Sequence, residues 1–431
     1  MAKLIIAGGT PLHGVVRVNG SKNGSLPLLA ASLLVEGESV ISNVPRIRDV
    51  ETMRETLNSL GVACEWLDQS TIRVDASHIE TTGAPYDLVR RMRASFYIAG
   101  PLLARCGEAR VPLPGGCVIG QRPVDFHIAG FKALGAVVDE RHGVVHARAE
   151  RLRGTRIYLD PRLRSVGTTI NVLMAATLAQ GTTVIENAAR DPDAVDCASF
   201  LAAAGASIEG IGTGTLIVRG VQRLQGCSYA ASPDRMEAGT HLFAAAATGG
   251  DVLVEGARAD DLDLVVSVLR EAGAEVRREN GGLRCRMERR PRSFDLVTAP
   301  YPGFPTDLQP CAAVLAALAD GRSVIEETIF EKRFNYVDEL KRMGARIKLV
   351  DRTAIVTGTG RLSGAPVVGT DIRAAAALAI AALAAEGETE ISGAEFLDRG
   401  YERFEEKLAS LGADLRREGD SRARKAQLCF A

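Results

Sequence analysis

Apolar positions along the chain follow a repeating order. Six times a helix-spaced apolar pattern closes on a glycine, in LNSLGV, FKALGA, LAAAGA, LREAGA, LKRMGA and LASLGA. The glycines are Gly61, Gly135, Gly205, Gly273, Gly344 and Gly412, at intervals of 68 to 74 residues. A fixed period of this size marks an internal structural repeat. A glycine directly after a helical pattern predicts a left-handed helix end, and the β-rich residues behind it predict a strand.

Upstream of each such helix lies a second one, apolar nearly all round: LPLLAASLL, FYIAGPLLA, INVLMAATLA, HLFAAAAT, CAAVLAALA and AAAALAIAALAA. A helix without a polar face has to be enclosed by other elements. A glycine turn and a short β-rich run follow it, as in SVISNV, TTVIENA, DVLVEGA and SVIEETI. Each unit therefore reads as strands alternating with one buried and one half-exposed helix. Six units in 431 residues exceed what one core holds and predict two α/β domains of three units each. A generic repeat scaffold is the bland alternative.

The starts of the six apolar helices argue against a mere scaffold. They carry Lys22, Arg93, Ser165, Glu237, Asp307 and Arg373. Serine and aspartate there are ordinary caps. Lysine and arginine are not, because the helix dipole disfavours positive charge at that end. Three cations in such places predict an anionic ligand held at the helix ends.

Composition narrows the chemistry. With 52 basic and 53 acidic side chains the net charge is -1, which excludes the electrostatic footprint of a nucleic-acid binder. Eight scattered cysteines form no CxxC or Cys/His spacing, so no zinc site or disulfide framework is expected. The N-terminus lacks the features of a signal peptide, and the alanine-rich runs are too short to span a bilayer. A soluble, cytoplasmic protein with no membrane partner is expected.

One cysteine stands apart. From the glycine after the buried helix to the glycine ending the next helix, the second unit runs 28 residues, Gly107 to Gly135, against 23 to 25 in the others. The extra residues fall in PLPGGCVIGQRPVD, where glycines loosen and prolines bracket a lid-like loop. Cys117 lies inside it and Arg122 near its end. Neighbouring arginines favour thiolate, so Cys117 is a functional candidate while the other seven read as structural.

Long motifs then carry a resemblance. NGSKNGSLPLLAA, RRMRASFYIAGPLLAR, LPGGCVIGQRPVDFHIAG, SVGTTINVLMAATLA, PDRMEAGT, PGFPTDLQ, FEKRF, GTDIRAAAAL and DRGYERFEEKL resemble the bacterial UDP-N-acetylglucosamine enolpyruvyl transferases, up to about residue 420. The resemblance implies a two-domain inside-out α/β barrel with the active site between the domains. It places residues 22–230 in one domain, 1–21 with 231–420 in the other, and leaves 421–431 as a flexible tail. The implied substrates are phosphoenolpyruvate and UDP-N-acetylglucosamine, joined in the first committed step of peptidoglycan synthesis without a metal or other cofactor. Fosfomycin is the implied covalent inhibitor at Cys117.

By matching motifs, Lys22, Arg122 and Arg399 are similar to the phosphoenolpyruvate clamp. Cys117 resembles the general acid and Asp307 the base for the sugar 3-hydroxyl, with Lys22 counted among the catalytic groups. Asn23 resembles a sugar contact, and Arg93 and Arg373 resemble arginines that shape the cleft. Pro123, Val124, Asp125, His127, Ser165, Val166, Gly167 and Ile329 resemble the uridine and diphosphate contacts, which Arg122 adjoins. Arg333 and Asp371 resemble further cleft residues.

The chain departs from the family pattern at Gly24, Ser25, Pro310, Cys311 and Lys332. Proline is tolerated in a first helical turn, so Pro310 leaves the fold intact. Two rival readings stand beside the main one. They are 5-enolpyruvylshikimate-3-phosphate synthase, which does not use this cysteine loop, and a non-catalytic paralogue that binds UDP-sugars.

Overall fold

The computed structural model describes residues 2–419 except 116–118, 121–123 and 162–163. The loop around Cys117 and the segment 421–431 therefore lie largely or wholly outside the described residues.

The third repeat shows the unit most simply. Its central strand Thr182–Glu186 pairs parallel with Arg156–Tyr158, setting Ile185 opposite Ile157. Parallel neighbours need a crossover, and the buried helix Val166–Ala176 supplies it. The amphipathic helix Pro192–Ala203 follows, and then the strands Ser207–Glu209 and Thr215–Arg219, the second antiparallel to the central strand. Among the described residues, five four-stranded sheets contain such a central strand with one parallel and one antiparallel neighbour. In the second repeat the sheet has three strands, Glu108–Pro112, Val137–Arg141 and Val144–Arg148, and a single parallel bridge from Gly83 to Arg110 stands in for the fourth.

Distant segments complete three of the sheets. Ser228–Ala230 is the parallel edge of the first repeat and His13–Arg17 that of the fourth. Lys3–Ala7 inserts between Glu388–Ser392 and Asp414–Glu418, tying the chain start into the last repeat. By its contacts the chain separates into two compact units. One runs up to Val18 and from Arg235 onward, with residues 119–120; the other holds most of Asn19 to Asp234.

In the C-terminal unit the helices Arg235–Thr248, Gln309–Leu318 and Ile372–Ala384 pack on one another and form its centre. Their alanines let the backbones approach, and Ala374 to Leu383 are all buried. In the N-terminal unit the helices Lys22–Ala31 and Val166–Ala176 both pack on the turn Arg93–Ile98 that leads into Ala99–Cys106. A Cβ at Gly100 would lie 2.4 Å from the Asn171 carbonyl oxygen, so glycine is what allows this close crossing.

The six helix-ending glycines all adopt positive φ, from 85° to 104°. The glycine turn after the fourth buried helix uses two glycines. Gly249, at φ 68°, makes the left-handed turn, and Gly250 is needed because a Cβ there would meet the Leu12 carbonyl oxygen at 2.2 Å. Pro310 stands in the first turn of its helix, where its missing N–H costs no helical bond.

Candidate active site

In the C-terminal unit, polar side chains at the starts of two buried helices converge. Asp307 sits in the 3-10 turn Thr306–Leu308 that opens Gln309–Leu318. Asp371 caps Ile372–Ala384, accepting from the backbone N–H of Arg373 at 2.8 Å and of Ala374 at 3.1 Å. Its other oxygen accepts from Asn335 at 2.8 Å. So oriented, Arg373 reaches Asp307 Oδ2 through Nε at 3.1 Å and Nη2 at 2.9 Å. Arg333 donates to Asp307 Oδ1 from Nη2 at 2.6 Å and to the Thr306 carbonyl from Nε at 3.0 Å. The arginine side chains are 3% and 6% exposed and the Asp307 side chain 27%, so a solvent-reaching carboxylate rests on a buried guanidinium bed.

A hydroxyl relay fixes Arg373 from behind. Its Nη1 donates to the Tyr401 hydroxyl at 3.0 Å, which lies 2.9 Å from Thr240 Oγ1. Thr240 gives its own proton to the Met236 carbonyl at 2.8 Å, so Tyr401 is the donor to Thr240. Burial pushes the Tyr401 phenol up to about 12, which keeps that proton in place. Burial likewise pushes the nearby Cys311 thiol up to about 12, against the opposing pull of Arg373.

Two other side chains hold loops of this unit. The buried Glu327 carboxylate accepts from Thr298, Thr306 and the backbone N–H groups of Ile329 and Phe330, at 2.8 to 3.0 Å. This sets the backbone at Ile329. Arg399 ends the 3-10 turn Ala394–Arg399, and the adjacent Asp398 is gripped by Arg417 through two bonds of 2.7 and 2.8 Å.

In the N-terminal unit, Ser21 caps the helix Lys22–Ala31 by accepting from Gly24 and donating to Asp193 at 2.9 Å. The Lys22 N–H donates to Asp234 at 2.9 Å, and its buried ammonium pairs with Asp49 at 2.8 Å. Asn23 follows in the same turn. Arg93 opens the turn Arg93–Ile98. Ser165 caps Val166–Ala176 through Thr168, placing Val166 and Gly167 in its first turn. Val124 precedes the helix Asp125–Ala133, whose Asp125 is exposed and whose His127 is buried edge-on against Phe96, with ring centroids 5.2 Å apart.

The expected helix-start residues thus stand at helix starts, but among the described residues the counter-charges of Lys22 and Arg373 include the protein's own carboxylates, Asp49 and Asp307. Cys117, Arg122 and Pro123 lie outside the described residues. Sequence reasoning missed Tyr401, Thr240, Asp49, Glu327 and Asn171. Tyr401 stood two residues from Arg399 in DRGYERF and was the one within reach.

Comparison with known proteins places this architecture. A family model described as EPSP synthase (3-phosphoshikimate 1-carboxyvinyltransferase) matches residues 6–408, and the chain belongs to that carboxyvinyl (enolpyruvyl) transferase family. Within it, the chain is 50% identical over 421 residues to UDP-N-acetylglucosamine 1-carboxyvinyltransferase of Oleidesulfovibrio alaskensis, covering 97% of this chain and 99% of that protein. It is 48% identical over 415 residues to UDP-N-acetylglucosamine 1-carboxyvinyltransferase 3 of Caldanaerobacter subterraneus subsp. tengcongensis, covering 96% and 99%. Among solved structures, the enolpyruvyl transferase NikO of Streptomyces tendae matches with a TM-score of 0.88 at 27% identity, covering 96% of this chain and 98% of that one. EPSP synthase of Acinetobacter baumannii, with a TM-score of 0.77, 19% identity and coverage of 97% and 100%, shares the fold. The inside-out α/β architecture of three repeats per domain is thereby shown.

Proposed function

We propose that this chain transfers the enolpyruvyl group of phosphoenolpyruvate to the 3-hydroxyl of UDP-N-acetylglucosamine and releases phosphate, at the entry to peptidoglycan synthesis. The observation that carries this reading is the near-full-length identity of 48 to 50% to relatives bearing that activity in their names. The cytoplasm is the proposed compartment, where the nucleotide sugar is available; among the described residues no helix is long and apolar enough to cross a membrane.

The chemistry assigns roles to residue types. Phosphoenolpyruvate becomes electrophilic only when its methylene carbon gains a proton, and Cys117 is the proposed acid. The 3-hydroxyl oxygen then attacks the adjacent carbon while Asp307 takes the hydroxyl proton, giving a tetrahedral adduct. Loss of phosphate and of one methyl proton restores the double bond. The sequence is redox-neutral. Lys22, Arg122 and Arg399 are the proposed grips on phosphate and carboxylate. Asn23, Arg93, Arg122, Pro123, Val124, Asp125, His127, Ser165, Val166, Gly167, Asp307 and Ile329 are the proposed nucleotide-sugar contacts. Arg333, Asp371 and Arg373 hold Asp307 and its surroundings. Fosfomycin is the proposed covalent inhibitor, at Cys117.

The test mixes purified protein with phosphoenolpyruvate and UDP-N-acetylglucosamine and reads phosphate release together with the mass of the nucleotide sugar. A mass gain of one enolpyruvyl group is expected. No phosphate from folded protein overturns the reading, and release only with shikimate 3-phosphate as acceptor assigns the rival synthase activity.

A further inference from the structure

The amide of Asn171 has no freedom of orientation. It is fully buried in the helix Val166–Ala176. Its Oδ1 accepts from the Gly100 backbone N–H at 2.8 Å, and its Nδ2 donates to the Phe96 carbonyl at 3.0 Å. Turning the amide over would set donor against donor and acceptor against acceptor in a buried place. Nδ2 also lies 3.1 Å from His127 Nδ1. Since Nδ2 carries only protons toward that atom, Nδ1 has to be the acceptor.

We propose that Asn171 is a positioning residue that fixes the tautomer of His127, with the ring proton on Nε2, so that Nε2–H is the donor presented to the nucleotide part of the substrate. This rests on the functional reading above, in which His127 contacts the nucleotide. The ring edge is aimed accordingly. A Cβ on Gly167, in the first turn of the same helix, would lie 3.4 Å from Nε2 and 3.3 Å from Cε1. The donor therefore stands beside the helix N-terminus, where backbone N–H groups and the helix dipole also favour anionic oxygens. Phe96 serves twice, packing its ring T-shaped against the imidazole and using its carbonyl to orient the amide that sets the proton. The crossing at Gly100 brings all three groups together.

The experiment is long-range proton–nitrogen correlation NMR on protein labelled with 15N-histidine, near neutral pH, with the His127 signals assigned by their loss in His127→Gln. One bare nitrogen at Nδ1 and one protonated nitrogen at Nε2 are expected. A proton on Nδ1, alone or with one on Nε2, overturns the proposal. UDP-N-acetylglucosamine should shift the Nε2–H proton; a titration that leaves it unmoved removes the ligand-facing part. In Asn171→Asp an acceptor replaces Nδ2, and a proton is expected to appear on Nδ1. An unchanged tautomer in folded Asn171→Asp overturns the role of Asn171, and if that variant does not fold, the wild-type spectrum decides. Wild-type protein that shows the expected tautomer but releases no phosphate in the assay above defeats the functional reading and not the tautomer.

Discussion

Arg333 donates to Asp307 Oδ1 at 2.6 Å although the arginine is buried and the aspartate reaches solvent. The pair is asymmetric in consequence. Removing the carboxylate takes a shared counter-charge from two buried guanidiniums, which keep their bonds to the Thr306 carbonyl and the Tyr401 hydroxyl, while removing one guanidinium leaves the carboxylate with water and its second arginine. Breaking a buried pair from the side that leaves a charge unpaired costs about 3–5 kcal/mol. Asp307→Asn should therefore lower stability by about that amount in denaturant unfolding. It should also cut the rate of phosphate release by about 10²- to 10⁴-fold if Asp307 is the base. A full rate in Asp307→Asn would end its assignment as base.

Tyr401→Phe probes the relay behind Arg373. The substitution keeps the ring and removes the hydroxyl that accepts from Arg373 and donates to Thr240. A buried donor left without its acceptor costs about 1–3 kcal/mol. Thr240→Val should cost less, because it takes an acceptor from the neutral Tyr401 hydroxyl, whereas Tyr401→Phe takes one from the charged Arg373 guanidinium. Denaturant midpoints of the two variants check the order, and a larger loss in Thr240→Val would show that the relay runs otherwise.

Glu237 predicts a pH effect. The carboxylate is buried against Lys407 and His241 at the start of the helix Arg235–Thr248. Burial alone would raise its carboxyl, but the neighbouring His241, with Nε2 at 3.8 Å, and the Lys407 charge outweigh it and hold it below the usual value of 4.5. A folded-state value below the unfolded one means that the unfolded chain binds more protons at low pH. The stabilisation is present above that usual value and fades as pH falls through the depressed one. Glu237→Gln should be less stable at neutral pH and should show a shallower loss on acidification. Unfolding midpoints across the acid range measure both, and parallel acid limbs would contradict the assignment.

How much of this was legible depends on where the information sits. The repeat, the buried helices and the polar helix starts follow from spacing along one chain segment, and the sequence displays them openly. Arg373 was legible because positive charge at a helix start is a local oddity, and Asp307 because it lies in the PGFPTDLQ motif. Asp49 was hidden because an aspartate in the first turn of Arg48–Ser59 is an ordinary helix-dipole partner, and nothing local says that it meets Lys22. Tyr401 and Asn171 act across elements, 28 and 44 residues from Arg373 and His127, and side-chain direction decides such contacts.

The cysteines give a prediction that separates chemistry from packing. Burial pushes Cys64, Cys285 and Cys311 up to about 12 and raises Cys197 as well, so near neutral pH all four are protonated and enclosed. The thiolate is the reactive form, and enclosed thiols do not meet reagents. Cys311 is the informative one, since it lies among Thr240, Arg373, Arg333 and Asp307 and so within the polar network itself. Proximity to arginine does not make it nucleophilic, because lost hydration outweighs the nearby positive charge. Fosfomycin, an electrophilic epoxide, should therefore modify Cys117 and leave Cys311 untouched in the native protein. Peptide mapping after brief exposure reads this directly, with an unfolded sample and a general alkylating reagent as the control that every thiol can be detected. An adduct at Cys311 would place the reactive thiol beside Asp307 and overturn the role given to Cys117.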